Sequence, residues 1–215
     1  MKQYFVLLFS SASLLALALG CSGKKVNEND PAAMFQDAQE EIESEHYQVA
    51  IDKLRIVKNK FPYSKYSIEA QLRIADVYYL QENFLEAATS YEGFVDLHPK
   101  HEKVEYAMFR AGLSYESDAP SNIARDLTSA SKALSTYNEF VRRFEKSNKT
   151  ADAQKSIQKL REVLAEKELY IGDFYKREDD YPQARNRYSK ILTTYPETKS
   201  AHKAKDHLAK IEGKK

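Results

Sequence analysis

The residue whose chemistry stands out is Cys21, the only cysteine in 215 residues. It follows Ala18-Leu19-Gly20 at the end of an apolar run from Tyr4 to Leu19, which basic Lys2 precedes. A thiol in that setting can be acylated and then exposed as a new N-terminus when the segment before it is cleaved. Left free in an oxidising compartment it would have no second cysteine to pair with. The other reactive residue types form no constellation. Of the five histidines, His46, His98, His101, His202 and His207, only His98 and His101 lie close in sequence. They flank Pro99 with no helix to set a ligand geometry. No phosphate loop, nucleophile elbow or His-Glu-x-x-His run occurs. The dense carboxylates Glu40, Glu41, Glu43 and Glu45 read as a solvated helix face. The residues therefore predict no catalytic centre, no metal site and no cofactor.

The N-terminal pattern divides the chain. Residues 1–20 read as a cleaved signal peptide, since the apolar run is too short and too early for a permanent span. The small residue before Cys21 resembles the lipobox of bacterial lipoproteins, with Ala18 where leucine is usual. That resemblance implies a lipid on Cys21, with residues 21–31 as a flexible tether and residues 32–215 as the body. Ser22, in place of an aspartate, is similar to lipoproteins sorted to an outer membrane. Acyl chains anchor by burying methylenes at about 0.8 kcal/mol each. No later segment is apolar enough to cross a bilayer.

Composition narrows the class of the body. Removing residues 1–20 takes away Lys2 and no acid, leaving 32 basic and 32 acidic residues. A neutral body argues against nucleic acid as a partner, because phosphate binding needs a basic surplus. Six glycines and six prolines in the whole chain leave few turn formers, which predicts an all-α fold.

The spacing of aromatic residues and prolines exposes a repeat. Phe61-Pro62, His98-Pro99 and Tyr195-Pro196 each close a segment, and twelve residues before each proline stands Ala50, Ala87 or Ala184. Four after each alanine is a large residue, Leu54, Tyr91 or Tyr188, and twenty-four before each proline is a small one, Ala38, Ala75 or Gly172. Small residues where helices cross, with large ones filling the gap beside them, match the packing pattern of tetratricopeptide repeats. A further copy, third in order, has Gly112 and Tyr115 in its first helix and Ala133 and Tyr137 in its second. From Tyr115 to Ala133 is 18 residues where the regular units have nine, so a loop is inserted at about 117–127. From Ala133 to Gly172 is 39 residues where Ala50 to Ala75 is 25. Fourteen extra residues are close to four helical turns, which predicts one long helix over 151–176, about 40 Å in length.

The expected helices are 32–45 with 47–60, 67–81 with 84–97, 103–116 with 128–144, and 151–176 with 181–194. A last helix over 200–211 covers the fourth pair, as the end of a solenoid must. The fold class is thus an all-α tetratricopeptide solenoid of four helix pairs plus a C-terminal capping helix. Tyr78, Tyr91, Tyr115, Tyr137, Tyr175 and Tyr188 are assigned to packing between helices.

A more particular resemblance rests on three runs. They are Phe61-Pro-Tyr-Ser-Lys-Tyr-Ser-Ile-Glu-Ala-Gln-Leu-Arg-Ile-Ala-Asp-Val-Tyr-Tyr79, Tyr106-Ala-Met-Phe-Arg-Ala-Gly-Leu113 and Glu168-Leu-Tyr-Ile-Gly-Asp-Phe-Tyr175. With the third-unit insert and the Cys21 pattern, they resemble the BamD (YfiO-like) family of outer-membrane assembly lipoproteins. The resemblance implies a five-unit solenoid on the periplasmic face of the outer membrane. It also implies a scaffold role in inserting β-barrel proteins, with the central barrel subunit and unfolded barrel segments as partners. This chain departs in ending after the first helix of a fifth unit. In such solenoids the first helix of each pair lines the concave groove. The candidate groove residues are Phe35, Gln39 and Ile42, then Leu72, Asp76 and Tyr79, then Tyr106, Phe109 and Leu113. The alternative is a scaffold for pilus or secretin assembly or envelope division, whose repeats would be regular near 34 residues. Here the second-helix alanines are spaced by 37, 46 and 51.

Overall fold

A computed structural model describes residues 26–214; the signal segment, Cys21 and the tether up to residue 25 lie outside the described residues. Among those described, the chain forms helices only. In order they are α1 (Pro31–Glu43), α2 (Tyr47–Lys60), α3 (Lys65–Leu80), α4 (Phe84–Leu97), α5 (Val104–Asp118), α6 (Thr128–Arg143), α7 (Thr150–Arg177), α8 (Tyr181–Thr194) and α9 (Lys199–Lys210). Each helix packs on the next, so the chain is a tetratricopeptide-type stack of four pairs closed by α9.

Local chemistry sets the helix ends. Asp30, Ser64, Asp180 and Thr198 cap α1, α3, α8 and α9 by accepting backbone N–H groups with their side chains. Ser64 therefore starts α3 two residues before the expected position. Ser67, the expected first residue of this helix, is buried and donates from its hydroxyl to the Lys58 carbonyl at 3.1 Å. The turns inside the three regular pairs share one form. Glu45, Glu82 and Asp179 take φ near +60°, and the amide after each donates back to the fifth residue before it, at Glu41, Tyr78 and Tyr175. That bond satisfies a carbonyl orphaned by the helix end.

The small residues do what the spacing predicts. Ala38 and Ala75 are fully buried, and a Cβ built on Gly112 or Gly172 would fall 2.8 Å or 2.6 Å from the ring of Tyr137 or Tyr188. Tyr91, Tyr115, Tyr137 and Tyr188 are all fully buried or nearly so. Each hydroxyl meets a carboxylate: Asp76 at 2.6 Å, Glu92 at 2.6 Å, Glu116 at 3.3 Å and Asp173 at 2.7 Å, respectively. Buried phenols need such partners. Tyr78 and Tyr175, by contrast, are half-buried, and Tyr78 accepts a hydrogen bond from Arg55 at the surface.

Both irregularities are present. Residues 119–127 link α5 to α6, and Lys167 of α7 holds this insert by donating to the carbonyls of Ala124 and Arg125, each at 3.1 Å. The long helix α7 has 28 residues, about 42 Å at 1.5 Å per residue. In α9 the positions facing back, Ala201, Ala204, Leu208 and Ile211, are buried or half-buried, while outward His202, Asp206, Ala209 and Glu212 are exposed. A polar outer face is what a terminal capping element requires.

Candidate binding face

The first helices make up one side of the stack. α1 touches α3 directly and α7 touches α9, whereas no comparable contact joins α2 to α4 or α6 to α8 among the described residues. Elements on the inside of a curved stack approach each other more closely, so these contacts put the first helices on the inner side at both ends of the stack. On it lies a continuous polar and aromatic network spanning α1, α3, α4 and α5.

Asp76 is the centre of that network. Its Oδ1 accepts from the hydroxyls of buried Tyr91 on α4, at 2.6 Å, and exposed Tyr106 on α5, at 2.7 Å. Its Oδ2 lies 3.3 Å from Arg73 Nη1. Arg73 also donates from Nε to Gln39 Oε1 of α1 at 2.9 Å. On the other side, Arg110 of α5 donates from Nε to Tyr91 Oη at 3.2 Å, and its guanidinium stacks 3.8 Å from the centroid of the Tyr79 ring. Such stacking is a cation–π contact, worth about 0.5–2 kcal/mol according to exposure.

Electrostatics fix the roles. Burial, then the Asp76 charge, pushes the Tyr91 phenol far above its ordinary value, and the same two causes push Tyr106 up to about 12. Burial alone would lower Arg110, yet the Tyr91 hydroxyl and the Asp76 charge outweigh it and raise it. The hydroxyls therefore stay donors and the guanidinium stays charged. This cluster is built to hold groups in place rather than to move protons. Arg110 uses one N–H on Tyr91 and Arg73 uses two, of about five each, so both keep further donors.

Of the nine residues expected in the groove, Gln39, Asp76, Tyr79 and Tyr106 come together here. Ile42 and Leu72 do not: they are 6% and 9% exposed and belong to packed cores, the first built by α1, α2 and α3 and the second running from α3 through α7. Phe35 is half-buried against the Tyr66 ring at 5.6 Å. Phe109 packs on Tyr137 and Phe140 at 5.9 and 5.5 Å, and Leu113 is half-buried outside the network. Leu72 and Phe109 share a cause: three before the small position, each turns into the core shared with its own second helix, whereas Phe35 at that position in α1 meets Tyr66 of α3.

Arg73 and Arg110 went unrecognised in the sequence. Each stands two residues before the small residue of its helix, Ala75 or Gly112, and reaches across to the preceding first helix. Their matching register was the available signal. His207 of α9 is half-buried, with Nδ1 2.8 Å from Asp173 Oδ1 and its ring 5.3 Å from Tyr188. That approach suits an ion pair when the ring is protonated but lacks hydrogen-bond alignment. Among the described residues no cluster of three His, Cys, Asp or Glu could hold a metal ion, and no helix is long and apolar enough to cross a membrane.

The model of the YfiO family, described as outer membrane lipoprotein, matches residues 27–212, which include every helix from α1 to α9. The chain belongs to the YfiO family. A relative from Vibrio cholerae, named outer membrane protein assembly factor BamD, is 29% identical over 207 residues, covering 90% of this chain and 86% of that one. The protein of the same name from Neisseria gonorrhoeae is 29% identical over 175 residues. There the match takes in 77% of this chain and 66% of the relative's length. Among solved structures, a kinesin light chain with tetratricopeptide-like repeats from Podospora anserina is 13% identical with a TM-score of 0.45. It covers 89% of this chain and 80% of that one.

Proposed function

We propose that this protein is an outer-membrane protein assembly factor. It acts as a lipid-anchored scaffold that holds unfolded β-barrel segments on its first-helix face and docks on the central barrel subunit of the insertion machinery. The observation that carries the binding half is the Asp76 network. It presents Tyr106, 42% exposed, beside the Tyr79 ring and two arginines with unused N–H donors, on the concave side. An extended peptide offers what this face can take: carbonyl oxygens for the guanidinium groups and aromatic side chains for the rings. Family membership and the names of the relatives support the setting. The anchor in this reading is a lipid on Cys21, on the periplasmic face of the outer membrane, joined to α1 by a short tether.

Photo-crosslinking from Tyr79 and Tyr106 in cells tests the face. Nascent barrel segments should be captured, and Arg110→Ala should reduce their yield. Depletion of the protein should lower barrel levels in the outer membrane, and affinity purification should recover the central barrel subunit. Unchanged barrel levels, or no barrel subunit in the purified complex, would end this reading. Mass spectrometry of the mature N-terminus should find acyl chains on Cys21; an unmodified cysteine would remove the anchor and leave the scaffold standing.

A further inference from the structure

In a regular unit, the first helix has a face that the second helix of the preceding unit covers. Counted from the small residue, its positions are five before, one before and two after. In α3 these are Ala70, Ile74 and Val77, all buried in one cluster with Ile51, Leu54 and Val57 of α2. In α5 they are Ala107, Ala111 and Ser114, all buried where α4 packs. In α7 they are Lys167, Ile171 and Phe174, and the outcome differs: Phe174 is 47% exposed, and Tyr170, one turn before it, is 46% exposed. Lys167 and Ile171 are half-buried.

The cause is the length of α7. It begins 22 residues before Gly172, whereas α3 begins 10 before Ala75 and α5 begins 8 before Gly112. Those twelve or more extra residues shift the covered stretch toward the N-terminus by about 18 Å. Ala153, Leu160 and Leu164 there join the core that α6 supplies through Ala130, Ala133, Tyr137 and Phe140. The insert reaches as far as Lys167, and no helix of the described residues continues beyond it on this face.

We propose that the C-terminal half of α7, at Tyr170, Ile171 and Phe174, is a docking site for an amphipathic helix of a partner protein, lying antiparallel to α7 as α2 lies on α3. Three observations identify the occupant. The same positions in α3 and α5 are each covered by a helix, so the fold itself defines what fits. The face is continuous with the α6–α7 interface and starts where that interface stops. Charge completes the match. Glu166 and Arg177, both exposed, bracket the aromatic pair and form no ion pair among the described residues. An antiparallel helix would bring a basic last turn to Glu166. α2 has that character, with Lys58 and Lys60 in its last turn and Ala50, Ile51, Leu54 and Val57 along its stripe. This docking site does not depend on peptide binding at the Asp76 network.

The test uses a side-chain-stapled peptide of the α2 sequence, residues 46–61, labelled for fluorescence anisotropy. Stapling is needed because so short a helix is marginal alone. Titrated into the mature full chain in lipid nanodiscs, it should bind saturably. Tyr170→Glu/Phe174→Glu should weaken it at least about tenfold, as the loss of an aromatic anchor does. Leu97→Glu, at an apolar residue exposed elsewhere, should leave it unchanged. All three positions are exposed, and circular dichroism should show unaltered helix content. In cells, a photoreactive residue at position 174 should capture a partner segment that carries a small-and-aliphatic stripe at helical spacing. No binding, equal binding to the double variant, or capture of an extended segment or of a second copy of this chain would each overturn the proposal.

Discussion

Gly172 should not tolerate a methyl group, although it sits inside a helix where alanine is normally preferred. In an exposed helix interior, replacing glycine by alanine gains about 0.8–1 kcal/mol. At Gly172 the new Cβ would lie 2.6 Å from Cε1 and 2.9 Å from Cδ1 of Tyr188. That ring cannot swing away. It is fully buried, its hydroxyl is held by Asp173 at 2.7 Å, and His207 flanks it at 5.3 Å. Overpacking of this kind costs about 1–3 kcal/mol. With the ring pinned at both ends the upper part of that range applies, so Gly172→Ala should destabilise by roughly 1–2 kcal/mol net. Gly93→Ala is the control: nothing lies within 4 Å of its Cβ, and stability should rise by up to about 1 kcal/mol. The decisive variant is Gly172→Ala with Tyr188→Leu, which copies the Ala38 and Leu54 pairing of the first unit. The two changes should compensate, with a coupling of about 1–2 kcal/mol. Urea unfolding followed by far-ultraviolet circular dichroism gives the totals. Hydrogen exchange across α7 and α8 localises them, since units of a solenoid need not unfold together. If the two substitutions proved additive within about 0.5 kcal/mol, the close approach would not be what selects glycine here.

Asp76→Ala should cost about 1–3 kcal/mol in the same assay, because it leaves the proton of the buried Tyr91 hydroxyl without an acceptor, whereas Tyr106→Phe, at a hydroxyl near water, should cost less than about 1 kcal/mol. Burial alone would raise Glu168, but Lys190 at 2.6 Å and Arg187 at 3.0 Å hold it below its ordinary value of about 4.5. Its contribution is therefore complete above that pH and lost as pH falls through the lowered value, so the stability gap between wild type and Glu168→Gln should shrink from pH 7 to pH 3 in urea titrations. Glu82→Gly should raise the unfolding midpoint by the equivalent of about 0.5–1 kcal/mol, since φ of +60° strains a side chain and not a glycine.

The helices were legible wherever a proline or a cap ended them. The bounds of α2, α4 and α8 match the residue spacing because Phe61-Pro62, His98-Pro99 and Tyr195-Pro196 stop each one. The start of α3 was not legible, since the spacing began the helix at Ser67 and passed over Ser64, whose side chain caps it. The intra-pair turns were hidden for a related reason: a left-handed residue is expected to be glycine, and here it is Glu45, Glu82 or Asp179. In the binding face, periodicity located the side of the helix but not the individual position. It selected Leu72 and Phe109, which turn inward, and passed over Arg73 and Arg110 one residue along. A shift of one residue is 100° around a helix, enough to exchange core for groove. The extra turns of α7 could be counted in the sequence, yet the uncovered half follows only from where α6 and the insert before it begin to cover α7.

Packing and binding are joined in this molecule by one recurring pair, a carboxylate just after the small residue and a tyrosine fifteen residues later. In the second unit the pair is Asp76 and Tyr91, and in the fourth it is Asp173 and Tyr188. Each buries a ring between helices and then uses the carboxylate that the ring's hydroxyl requires. The second unit turns that carboxylate outward to Tyr106 and Arg73, so a core contact sets the geometry of the concave face. In the fourth unit the carboxylate faces His207 and Lys176, and the contact with His207 seats the closing helix α9. The same local device thus shapes the proposed binding face in the middle of the stack and seats α9 on the fourth unit. What decides between the two is the neighbour the next first helix supplies: Tyr106 from α5 in the second unit, His207 from α9 in the fourth.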